Sequence, residues 1–157
     1  MLKVILSTLC VLAAAVPLNA APTAANVAGR WQGDSWAPEK SAPLVLDIVA
    51  CGHGWCGIRV DENDKCAGTA LKIDTGELQA DTVQFKGTLE LAPGTEPYTV
   101  QTSLYREVAD GGAAGSARLH IFGDTGGSFR VFRRSFPFEA QLVRAGDSVC
   151  QMPHPVS

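Results

Sequence analysis

The chain has 157 residues, 46% hydrophobic and 18% charged, so it carries enough apolar material for the core of one domain and needs no second. Its formal net charge of −3 grows more negative once Lys3 is set aside, which argues against the broad cationic surface that nucleic acid or anionic lipid demands. Arg130, Arg133 and Arg134 form a local basic run, for which the wet face of a strand is the commoner reading and an anion site the sharper one.

At the N-terminus, Lys3 precedes an apolar run from Val4 to Leu18, followed by Leu18-Asn19-Ala20 as a cleavage site. This predicts a signal peptide over 1–20 and a single exported domain over 21–157. The run is interrupted by Pro17 and is shorter than the roughly twenty residues a membrane span needs. Cys10 lies in the middle of it behind bulky Leu9, so no lipid anchor is expected.

Strands follow in short segments. Residues 30–36, 44–50, 55–60 and 69–74 read as the first four, with Gly52-His53-Gly54 and Asp61-Glu62-Asn63-Asp64 as turns among them. From 82 to 91 the apolar Val83, Phe85, Leu89 and Leu91 alternate with polar residues, and Gly87 takes one inward position. Tyr98, Val100, Thr102 and Leu104 alternate in the same way. The cluster Ala92-Pro93-Gly94-Thr95-Glu96-Pro97 joins the two as a hairpin. Residues 117–122, 129–134 and 138–144 complete the set, and no stretch holds a helical period.

About eight or nine strands with short connections must pack as two sheets or curl into one closed sheet. Closure removes exposed edges, so an all-β, up-and-down antiparallel barrel is expected, with a β-sandwich as the alternative. Gly87 suits a tight bend, and equally a plain small-residue contact.

Setting the signal aside leaves Cys51, Cys56, Cys66 and Cys150, an even number that predicts two disulfides in an oxidising compartment; spacing leaves all three connectivities open. Zinc on Cys51, His53, Cys56 and Cys66 is disfavoured because that compartment favours oxidation over thiolate ligation. No metal or other cofactor is expected. The tail from Gln151 to Ser157 holds little that could pack and is expected to be loose.

Several landmarks occur in a fixed order: Gly29-Arg30-Trp31 opening the first strand; Cys51-Gly52-His53-Gly54-Trp55-Cys56-Gly57 after the strand Leu46-Asp47-Ile48-Val49-Ala50; then Phe85-Lys86-Gly87, Pro93-Gly94, Tyr98, and Arg133 or Arg134. Over 29–144 this order resembles small exported bacterial proteins of uncharacterised function with a calycin-like, lipocalin-type barrel. The departures are Trp55, where that family more often has an aliphatic residue, and the additional Cys66 and Cys150. The resemblance implies that Cys51 pairs with Cys56, which leaves Cys66 for Cys150.

Catalytic machinery is hard to find. Gly33-Asp34-Ser35 suggests an esterase nucleophile block, but the α/β fold and the other blocks of that class are missing. His53, His120 and His154 show no pattern tying them to a carboxylate and a nucleophile, and 61–64 lacks the glycine and terminal glutamate of a calcium loop. Two classes of function remain. The favoured one is a non-enzymatic, monomeric binding module in the periplasm or outside the cell, taking a small apolar ligand or an envelope protein, with Trp31, Trp55, Phe85, Tyr98 and Arg133 as candidate contacts. Its plainer counterpart has these aromatics filling the core, as Trp36, Phe129, Phe132, Phe136 and Phe138 could also do. A protease inhibitor is a variant of the same class. The other class is a hydrolase or isomerase using Asp47, Glu139 and Arg133.

Overall fold

The computed structural model describes residues 22–38, 40–108, 114–126 and 135–152. After a 3-10 turn at Ala24–Val27 come β1 (Gly29–Ala37), β2 (Lys40–Cys51), β3 (Gly54–Val60), β4 (Cys66–Ile73), β5 (Glu77–Gln79), β6 (Thr82–Leu89), β7 (Tyr98–Val108), β8 (Ala114–Asp124) and β9 (Pro137–Gly146). The expected signal peptide over 1–20 and the expected strand over 129–134 lie outside the described residues, so the last strand described is β9. Among the described residues no helix is long and apolar enough to cross a membrane.

Each strand pairs antiparallel with its neighbours in sequence except β4 with β5, β1 also pairs with β9, and β4 pairs with β6. The sheet therefore closes as an eight-strand up-and-down barrel with β5 as an extra strand, and the sandwich alternative falls away. The seam at β4 and β6 is short: Leu71, Lys72 and Ile73 face Leu89, Thr88 and Gly87. Gly87 sits where the backbones approach most closely, since a Cβ there would collide with the carbonyl oxygen of Lys72.

The unexpected strand β5 continues β4 along the same edge of β6. The N–H of Asp74 donates to the carbonyl of Lys86 (3.0 Å), and Glu77 then faces Gln84 one residue out of step. Between them the chain turns through Gly76 at φ +76, and the Asp74 carboxylate accepts the N–H groups of Gly76 and Lys86. All three β5 residues are exposed, so no apolar alternation announces it.

Inside the barrel, Trp31, Leu46, Ile48, Leu71, Phe85, Leu89, Leu104, Leu119, Ile121 and Leu142 are fully buried and fill the axis. The end at which β1 begins is plugged by the 3-10 turn. Val27 enters the core, Trp31 Nε1–H donates to the Val27 carbonyl (2.7 Å), and Arg144 Nη1 donates to the carbonyls of Asn26 and Ala28. The sequence held no apolar period for this turn because only one of its residues is buried.

A second apolar patch lies outside the wall. Ile58, Val60 and Cys150 are buried there, with Val45, Val49 and Met152 against them. The disulfides are Cys51–Cys56 and Cys66–Cys150, and the latter holds the chain after β9 across β2, β3 and β4 as a strap. Met152 thus packs where a loose tail was expected; residues 153–157 lie outside the described residues.

Candidate ligand site

The opposite end of the barrel carries a hollow of about 250 Å³, lined chiefly by Ser35, Ala37, Ala42, Leu44, Leu91, Phe138 and Arg59. Its origin is the size of the inward residues. β1 and β2 point Trp31, Leu46 and Ile48 into the middle of the barrel, but towards this end their inward positions become Gly33, Ser35, Ala37 and Ala42. Bulk runs out before the strands do, and the space stays open. The Ser35 hydroxyl donates to the Ala42 carbonyl (2.8 Å), which commits its proton to the β1–β2 pair and makes it a poor nucleophile.

Arg59 faces inward because it sits opposite Leu46 in the β2–β3 register. One of its Nη atoms donates to the Glu90 carbonyl (2.9 Å). Burial pulls the guanidinium pKa below its ordinary value, with the Glu90 charge acting the other way. The guanidinium remains charged at any physiological pH.

The four candidate contacts among the described residues do not converge. Trp31 and Phe85 are fully buried in the packed axis, and Trp55 lies half-buried near the plugged end. Tyr98 is half-buried at the hollow end, its ring 5.5 Å from that of Phe138, which lines the hollow. Arg133 lies outside the described residues. Arg59 was missed for a specific reason: in β3 the apolar set Cys56, Ile58 and Val60 alternates with Trp55, Gly57 and Arg59, and alternation alone places the apolar set inside. The strap covers Ile58 and Val60 of that set from outside, so the faces are reversed.

Asp47, a candidate catalytic acid, is instead the anchor of the strap. It is fully buried, accepts from Arg30 through Nε (2.8 Å) and Nη2 (3.0 Å), and receives the N–H groups of Val149 and Cys150 (2.8 Å each). Burial pushes its pKa up, but the Arg30 bond and the two backbone N–H groups outweigh that, and the carboxyl ends below its usual range. A carboxylate satisfied in this way is a structural clamp.

Glu139 has a histidine partner that spacing did not reveal. Diagonally across β8 and β9, His120 Nε2 lies 3.0 Å from Glu139 Oε1, and Gln141 and His120 together hold the Glu139 carboxyl below its ordinary pKa. The pair stands on the outer wall, whereas the Ser35 side chain points to the inner face. The 61–64 turn is closed on itself: Asp61 accepts the N–H groups of Asn63 and Lys65, and Asp64 pairs with Arg30 (3.0 Å). Three of the four donors considered for zinc are spent in disulfides. Among the described residues, no three His, Cys, Asp or Glu side chains come together as a metal site.

Comparison with protein families, curated proteins and solved structures finds no match to the chain.

Proposed function

We propose that the chain is an exported, non-enzymatic binding module, periplasmic or secreted, that holds a small apolar molecule in the hollow at the open end of its barrel. The observation that carries this reading is the hollow itself, an apolar-lined space with two polar groups, Ser35 and Arg59, in a barrel whose axis is otherwise packed. Two disulfides fit an oxidising compartment, and the apolar N-terminal run and the calycin-like landmarks support the same setting.

Native mass spectrometry of the protein purified from the periplasm, with and without reduction, tests it. A retained small molecule on the oxidised protein is the expected result. A ligand-free species that also fails to take up apolar probes overturns the reading.

A second reading is docking to an envelope protein. Trp36, Phe122 and Phe136 are all exposed, and Trp36 and Phe122 flank Glu139 in one row across β1, β9 and β8 on the outer wall. Cross-linking in periplasm that depends on Trp36 supports this alternative.

A further inference from the structure

Arg59 stands between two spaces. Beyond Leu71–Leu89 the seam of β4 and β6 ends in a single bond, from Glu90 N–H to the Ala70 carbonyl (2.8 Å). There β4 runs on to Cys66 while the chain after β6 turns away, and a second cleft of about 260 Å³ opens in the wall, lined in part by Thr69, Ala70, Glu90, Gly94 and Arg59. Arg59 also lines the apolar hollow inside.

Among the described residues no ion pair answers its charge, and the Glu90 carboxylate acts on it only through space. No carboxylate among the described residues lies within ion-pair distance of Arg59, and the Glu90 side chain turns instead to the N–H of Gly94. Its hydrogen bond to the Glu90 carbonyl uses one of five guanidinium N–H donors. A half-buried cation in no direct ion pair, set beside an apolar space, is complementary to a molecule with one anionic end and a short apolar body.

We infer that Arg59 anchors the carboxylate of a small apolar acid, with the seam cleft admitting the carboxylate and the apolar body lying against Leu44, Leu91 and Phe138. This rests on reading the hollow as the ligand site and adds the chemical class of the ligand. The hollow is slightly smaller than the usual range for ligand pockets, so the apolar part is a short chain or a single ring.

Calorimetry on the oxidised mature protein, stripped of any bound molecule, compares octanoate with octanol at neutral pH. Wild type should bind octanoate at least about tenfold more tightly, the effect of a hydrogen bond to a charged group in a partly dry site. Arg59→Met should lose that preference and keep octanol binding, while Arg59→Lys, which retains the charge without the fork, should keep part of it. Should Arg59→Met fail to fold, wild type alone decides: the octanoate preference must vanish as pH falls through the ligand's own carboxyl range. Equal binding of both probes to wild type, or a preference that survives in Arg59→Met, overturns the assignment of Arg59 and leaves the hollow as a site. Failure of both probes to bind overturns the hollow as well.

Discussion

The barrel interior and the strap-covered patch outside it are both apolar, both buried, and built in opposite ways. Inside, most strands pair with the next along the chain, so Trp31, Phe85, Leu119 and Leu142 come together through contacts that are mostly between neighbouring strands. Outside, Ile58 and Val60 are covered only because a segment more than eighty residues further along is bonded and clamped over them. The interior depends on pattern, repeated strand after strand. The patch depends on two particular links, the Cys66–Cys150 bond and the Asp47 carboxylate, and removing either should harm the patch while sparing the barrel.

The largest effect should come from the bond. Replacing Cys66 and Cys150 by serine frees a long loop in the unfolded chain and should cost about 4 to 5 kcal/mol, whereas the same change at Cys51 and Cys56, which close a short hairpin ring, should cost about 2. Urea unfolding of the two double variants measures both. Hydrogen exchange should show the Val149 and Cys150 amides losing protection in the first variant while the inward strands keep theirs. Equal losses for the two pairs would contradict the idea that the strap is the weakly supported region.

Next comes the clamp. Asp47→Asn keeps the shape and removes the charge that faces Arg30 and two backbone N–H groups, and should cost about 3 kcal/mol at neutral pH. The sign of the pH dependence follows from the depressed pKa. In acid the unfolded carboxyl takes its proton first, so the contribution is complete above the unfolded value near 3.9 and is lost as pH falls through the lower folded value. Wild type should therefore lose stability below about pH 4 more steeply than Asp47→Asn, and the two curves should converge in strong acid. Because the bond and the clamp hold the same strap, the triple variant should lose less than the sum of the parts.

This contrast also marks what was legible in the sequence. Alternation in 82–91 and 98–104 places Val83, Phe85, Val100 and Leu104 on one face, and turn residues set the hairpins between the strands, because those signals are local. Closure of the barrel is favoured, over two packed sheets, by the short connections and the removal of exposed edges. The orientation of β3 does not follow, since alternation says which residues share a face but not which face is covered, and here the cover comes from Cys150 and Met152. Asp47 reads as a reactive carboxylate for the same reason: its partners are Arg30 on the neighbouring strand and two amides at the far end of the chain. Arg59, the residue on which the ligand reading turns, was hidden by that reversal. The His120–Glu139 pair was hidden more simply, by a spacing of 19 residues that only the β8–β9 register makes close.

The smallest expected effect tests the interior and has the opposite sign. Thr102 is fully buried between Phe85 and Ile121 in the strand register, and its hydroxyl oxygen has no hydrogen-bond partner. A hydroxyl taken out of water without a partner is a net cost, and valine has nearly the same shape without it. Thr102→Val should stabilise the protein by about 1 kcal/mol, a rise in Tm of about 3 °C for a domain of this size. A loss of stability instead would mean that the hydroxyl bonds a water held inside the barrel, and the packed axis would then contain a polar pocket beside Phe85. A gain would show that the interior tolerates an unpaired group because apolar contacts from every strand surround it, a margin that the strap, with its two links, does not have.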